Sequence, residues 1–280
     1  MGTAPQAQAH KQRIAQVFDQ AAGGYDSPAL RFFPFAADRL VARLAPHRGW
    51  KVLDVATGTG HLAVALAQAV GATGRVMGID LSEGMLTRAE HNIKKMALDN
   101  VDLFAMDAEA PEFRSAYFDA VTCGFGLFFL PDMAHALSQW RRLLRPGGRV
   151  MFSSFTEQAF QPLLQLLMDD LKAFGVDVES RAPASQRLKD PTVSRELLRE
   201  AGFAEVTQTT EQVGYHLRNG EEWWEVVWNS AIRGLVEQVA AEQREALRQR
   251  HLENLAALQT ADGLWLGVEV MLNSGSRPQT

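Results

Sequence analysis

The chain has almost no cysteine: Cys123 is the single one in 280 residues. One thiol forms no intrachain disulfide and builds no cysteine-based zinc site, so no metal is expected and a reducing, cytoplasmic setting fits. Positive charge is not in excess either. Lys and Arg number 28 against 33 Asp and Glu, a formal net charge of −5. Such a surface does not gather phosphate backbones, and nucleic acid is not an expected partner. The strongest basic group, Arg141, Arg142 and Arg145, falls where a predicted helix runs into a turn and reads as a solvated helix end. No apolar run approaches the roughly 18 residues of a membrane span. The opening MGTAPQAQAHKQR is polar and basic, without the apolar stretch of a secretory signal. Internal repeats and low-complexity tracts are also missing. Nothing in the pattern separates a monomer from a homodimer.

What is present is apolar material in alternating blocks. At 46% hydrophobic and 22% charged, the chain can bury a sizeable core. Residues 10–20 have helical spacing, with Ile14, Val17 and Phe18 on one side, and a second helix is predicted over 34–44. From residue 51 strands and helices alternate. Strands are predicted at 51–55, 75–79, 101–105, 118–123 and 149–153, with helices at 61–70, 82–96 and 132–144 between them. Strands separated by helices pair in parallel through right-handed crossovers, so an α/β, Rossmann-like sheet is expected. Beyond 155 the pattern predicts helices at 160–174 and 192–201, strands near 203–217 and 264–273, and a long helical stretch over 220–258. The organisation read from this is a pair of N-terminal helices (1–50) capping a cofactor site, a core (51–155), and a C-terminal part of the sheet (156–280) carrying the helical insertion.

The chemistry concentrates in VLDVATGTGHLAVAL at 52–66. An apolar strand enters a glycine turn, and the turn opens a helix. Gly58 and Gly60 let backbone approach a ligand where a Cβ would clash. Asp54 stands just before the turn. A carboxylate there opposes a pyrophosphate but suits a ligand bearing an ammonium group, as S-adenosylmethionine does. Asp80, followed by Leu81, ends the second predicted strand, 20 residues past Gly60, where a carboxylate accepts hydrogen bonds from ribose hydroxyls. Asp107 and Ala108 follow the third strand, where a carboxylate can accept from an adenine amino group. Met85 could lay its thioether on the adenine face. Singly, each has an ordinary explanation: a common glycine turn, a helix cap, a core methionine. Together, in order at the carboxyl ends of successive strands, they point to a nucleotide-like cofactor.

Residues 51–153 resemble the class I S-adenosylmethionine-dependent methyltransferases, and within them the C-methyltransferases of ubiquinone and menaquinone biosynthesis. VLDVATGTGHLA resembles that family's first motif and GIDLSEGML its second. FDAVTCGFGLFFLPD followed by RRLLRPGGRV resembles its fourth strand and the turn beyond. VFDQAAGGYD resembles its N-terminal segment, and VEVMLNSGSRP the antiparallel last strand of the fold. The resemblance implies a seven-stranded, mostly parallel sheet with an antiparallel last strand. It also implies cofactor contacts at Thr57, Gly58, Gly60, Asp80 and Asp107, with Cys123, Gly124 and Phe125 along the methionine side and Tyr25 covering that end. Two departures stand out: His61 sits where those enzymes usually carry Asp, and the 220–258 stretch has no counterpart.

A small-molecule methyl acceptor is therefore expected. Phe125, Phe128, Phe129 and Tyr25 are candidates to line the site and favour a sulfonium, by about 0.5–2 kcal/mol. Trp224 and Trp228, four apart on one helix face, are candidates to wall the acceptor, with Trp223 adjacent. If a proton must be removed, His216 and His135 are the first candidates for a general base, ahead of His61 and of His251, which lies among charged residues and reads as exposed. The rival readings are an NAD-dependent oxidoreductase, since Gly58 to Ala63 also satisfies GxGxxA, and a non-catalytic cofactor-binding module. Asp54 and the lack of a hydride-transfer constellation weigh against the first, and the complete motif set against the second.

Overall fold

A computed structural model describes residues 4–178 and 183–279 of the chain. Two helices come first, α1 (Ala4–Ala21) and α2 (Phe32–Leu44). The apolar runs then become β1 (Lys51–Val55), β2 (Arg75–Asp80), β3 (Val101–Ala105), β4 (Phe118–Gly124) and β5 (Leu144–Phe155). β1 pairs in parallel with β2 and β4, β2 with β3, and β4 with β5. The connections include α3 (His61–Val70), α4 (Glu83–Lys95) and α5 (Met133–Leu143). Four of the five β1 residues are buried, the near-continuous burial expected of a strand covered on both faces. On α3 the buried side chains Leu62, Ala63, Leu66, Ala67 and Val70 form one stripe. Side-chain caps fix where the next helices begin. Ser82 accepts from Met85 N (3.1 Å) at α4, and Asp132 from His135 N (2.9 Å) at α5.

The helices α6 (Leu163–Ala173) and α7 (Pro191–Glu200) lead to β6 (Ala204–Gln212), and the last strand, β9 (Glu269–Ser276), slots between β5 and β6. The sheet order is β3-β2-β1-β4-β5-β9-β6, with β9 antiparallel to both neighbours. The order reverses between β1 and β4. That reversal opens a crevice at the carboxyl ends of the strands, where open α/β sheets take their ligands. Among the described residues no helix is long and apolar enough to cross a membrane.

The insertion departs from the sequence pattern in three ways. The strands expected near 203–217 and 264–273 each divide in two. Beyond β6 the chain leaves the main sheet, and β7 (Tyr215–Leu217) pairs instead with β8 (Leu264–Leu266). Gly214 permits the break, since a Cβ there would lie 2.4 Å from Leu266 O. The helical stretch is also interrupted, into α8 (Gly220–Trp228), α9 (Arg233–Val236) and α10 (Arg244–Ala256). Finally, His251 is fully buried rather than exposed. Leu247, His251 and Leu255, spaced by four, make the inner face of α10.

A polar network explains that burial. Asp170 on α6 accepts from His251 Nδ1 (2.8 Å), Arg250 Nε (3.0 Å) and Asn254 Nδ2 (2.8 Å). On the far side of the ring, Trp223 Nε1 donates to His251 Nε2 (2.8 Å). An indole nitrogen only donates, so Nε2 is the acceptor and the imidazole proton sits on Nδ1. Burial holds the His251 pKa below the ordinary histidine value against the pull of Asp170, and the ring stays neutral. One buried carboxylate thus ties α6, α8 and α10 together. Asp170→Ala leaves three donors without their acceptor and should destabilise the protein by about 3 kcal/mol in urea unfolding. Hydrogen exchange should rise in α8 and α10 while the main sheet stays protected.

Candidate active site

Two loops make the floor of the crevice, one after β1 and one after β4. Both contain a non-glycine residue in the left-handed region, Ala56 (φ 51°) and Phe125 (φ 56°). Such conformations are held only where the surroundings dictate them, and they gather at functional sites. The loops touch: a Cβ on Gly126 would lie 2.5 Å from Ala56 Cβ and 2.8 Å from Cys123 Sγ. Phe125 N donates to Ser153 Oγ (3.1 Å), and the Phe125 ring stacks on Phe155 at 4.3 Å and 11°. Gly58 (φ +55°) has open space where its Cβ would be and lines the crevice. Gly60 lies back from it, where a Cβ would sit 3.2 Å from Ala89 Cβ, so its absent side chain lets α3 and α4 approach.

The crevice has three connected parts. The first recess is lined by Asp54, Thr57, Gly58, His61 and Gly124. Asp54 is fully buried and accepts from Thr57 Oγ1 (2.6 Å) and Thr122 Oγ1 (2.8 Å). Burial outweighs these two bonds and, with the charge of Asp80, pushes its pKa up to about 7. The second recess is lined by Gly58, Asp80, Leu81, Met85, Met106, Ala108, Gly124 and the side of α1 carrying Lys11, Ile14, Ala15 and Phe18. Asp80 accepts from Gly58 N and Ser82 N, both at 2.9 Å, one on each oxygen. Those bonds fix the carboxylate and leave a lone pair on each oxygen. The third part is an apolar cavity of about 310 Å³ lined by nine aromatic side chains, among them Phe128, Phe129, Phe155 and Phe160. Tyr25 and Phe125 line all three parts.

The sequence-derived candidates divide accordingly. Asp54, Thr57, Gly58, Asp80, Leu81, Met85, Ala108, Gly124, Phe125, Phe128, Phe129 and Tyr25 come together around the crevice. Cys123 is buried behind the floor, and Asp107 lies beside the second recess, its carboxylate on Lys11 Nζ (2.7 Å). His135 and His216 are exposed and line none of the three parts. His135 N donates to the helix-capping Asp132, and His216 stands beside Trp265 on the two-stranded sheet. Trp224 and Trp228 line a separate hollow with Arg244 and Arg248. The helical repeat explains this: α8 turns Trp223 and Val226 inward, and Trp224 and Trp228 fall on the opposite side. The insertion reaches the cavity instead through Val226 and residues 230–238.

Several participants escaped the sequence reading. Phe33, Phe155 and Phe160 belong to the cavity, and the aromatic cluster RFFPF at 31–35 was the available signal for the first. Arg187 donates to Phe128 O (2.8 Å) and Leu130 O (2.6 Å), which holds the turn bearing Phe128 and Phe129. Asp26 anchors the Tyr25 turn. Arg88 Nη2 (2.9 Å) and Asn92 Nδ2 (3.0 Å) reach Asp26 Oδ2, and His61 Nε2 lies 3.2 Å from Oδ1. The histidine at 61 therefore has a carboxylate to meet across the turn. Burial opposes the charge on Asp26, but the bonds from His61, Asn92 and Arg88 prevail and hold its carboxyl well below the usual range. Tyr25 itself stacks on Phe33 at 4.7 Å and 20°. Asp26→Asn should cost about 1–3 kcal/mol of stability at neutral pH in denaturant titrations. A depressed carboxylate stabilises above its unfolded pKa, so that penalty should shrink only below about pH 4.

Comparison with known proteins agrees with this geometry. The chain is 36% identical over 172 residues to aklanonic acid methyltransferase DauC of Streptomyces sp. (strain C5), covering 58% of this chain and 78% of that one. It is 29% identical over 261 residues to nocamycin O-methyltransferase of Saccharothrix syringae, covering 86% and 90%. The crystal structure of a SAM-dependent methyltransferase from Aquifex aeolicus has the same fold, with a TM-score of 0.54 at 20% identity over 68% of this chain and 89% of that one. Residues 6–217, from α1 through β7, match the ubiE/COQ5 methyltransferase family, and with the sheet order and glycine turn described above the chain belongs to that family.

Proposed function

We propose that this methyltransferase takes its methyl group from S-adenosylmethionine and transfers it to a small, largely apolar molecule held in the aromatic cavity. One observation carries the reading. Tyr25 and Phe125 stand where two polar recesses, each with a carboxylate, open onto the apolar cavity. The donor set fits the cofactor. Asp54, buried and half-ionised near neutrality, suits an ammonium group, and the Asp80 lone pairs suit ribose hydroxyls. The open space over Gly58 admits a ligand against the backbone.

When bound, the cofactor supplies an electrophilic methyl on a sulfonium. The protein supplies placement and dryness. The rings of Tyr25 and Phe125 face the junction and favour a cation there by about 0.5–2 kcal/mol. The cavity walls exclude water and hold the acceptor in line, and this alignment is the larger contribution to rate. Burial and the nearby Asp80 push the Tyr25 phenol well above its ordinary range, so it remains protonated and is no base. Its part is to shape the junction. The relatives' names, aklanonic acid and nocamycin methyltransferases, support a small organic acceptor.

Three outcomes follow. Asp80→Ala should weaken S-adenosylmethionine binding at least about tenfold in calorimetry, the loss of two charge-assisted bonds. A ligand ammonium favours ionised Asp54, whose pKa sits near 7. Affinity should therefore climb as pH rises from about 5.5 to 7.5, and Asp54→Asn should flatten that slope. Ala231→Trp should fill the apolar cavity and abolish transfer of a labelled methyl into acceptors drawn from a metabolite extract. Cofactor affinity should not change. Transfer that persists in this variant would place the acceptor elsewhere.

A further inference from the structure

Lys11 is the charged residue of α1 that lines the second recess. Its side chain is 13% exposed, and it meets two carboxylates, Asp107 Oδ2 at 2.7 Å and Glu109 Oε2. Each carboxylate is also held from another side. Glu109 N donates to Asp107 Oδ1 (2.9 Å), and Asp132 N donates to Glu109 Oε1 (2.6 Å). Without the ammonium, two like charges would face each other at the rim, and Asp107 would have a reason to swing away. With it, both Asp107 oxygens carry one donor each and keep one lone pair each for a ligand. Lys11 is also set in the helix whose Ile14, Ala15 and Phe18 roof the same recess.

Resting on the cofactor reading above, we infer that Lys11 is a positioning residue for base recognition. It holds Asp107 in the orientation that accepts from the purine amino group, and so makes the site select an aminopurine. The alternative is a plain anchor that only keeps α1 in place. The two differ in what they do to a base without its amino group.

The test is calorimetry with two probes, S-adenosylhomocysteine and the homocysteine conjugate of purine riboside, which lacks the amino group. The wild-type protein should prefer the first by about tenfold, the worth of one charge-assisted hydrogen bond. In Lys11→Met that preference should fall to within about twofold, as in Asp107→Asn, and Lys11→Arg should restore it. Melting temperatures within a few degrees of wild type confirm that the variants fold. If Lys11→Met weakens both probes equally, the lysine is only an anchor and the inference fails. It fails also if the variant binds S-adenosylhomocysteine more tightly, since the lysine would then compete with the base for Asp107. A wild-type protein that binds neither probe would instead overturn the cofactor reading itself.

Discussion

The contact between the loops after β1 and β4 is the constraint on which the site depends. Ala56 and Phe125 both adopt left-handed backbone there, and Gly126 fits between Ala56 and Cys123 only because it has no side chain. That contact sets Phe125 at the meeting point of three recesses, with Phe155 stacked behind it. The strand order supplies the crevice, but many folds have a crevice at a sheet reversal. What makes this one specific is that the strained loops aim one ring at the polar recesses and the apolar cavity together.

Tyr25 completes the junction from the other side; its ring stacks on Phe33, and the turn that carries it is fastened electrostatically. Asp26 joins the turn to the glycine loop and α4 through His61, Arg88 and Asn92. The insertion is fastened in a similar way, by Asp170 beneath α8 and α10. In both places a desolvated carboxylate that gathers several donors does what a larger apolar contact would otherwise do, and removing it would strand its partners. The floor is held by backbone geometry and the covering pieces by carboxylates that gather several donors.

The core of the fold was legible because its signals are local. A strand that ends in Asp-Val-Ala-Thr-Gly-Thr-Gly, and a second that ends in Asp80, carry their meaning in adjacent residues. The polar recesses with Asp54 and Asp80 were readable for the same reason. The apolar cavity was not, because it is assembled from segments far apart in sequence: Ile14, Phe33, Phe160 and Leu235 meet only in the folded chain. The tryptophans of α8 were conspicuous, yet a helix must turn some of its large residues outward, and the sequence does not say which. His251 was misread for a related reason. Its acceptor is Asp170, 81 residues away, and a helix as charged as α10 shows little sign of its buried stripe. The family match ends at residue 217, so the insertion segment that walls the cavity, Val226 and residues 230–238, lies beyond it.

A crystal structure with bound S-adenosylhomocysteine tests the central claim most directly. The account places the ligand's amino group against Asp54, its ribose on Asp80, and its sulfur between Tyr25 and Phe125, facing the aromatic cavity. A sulfur turned away from that cavity, or a purine ring lying inside it, would contradict the account.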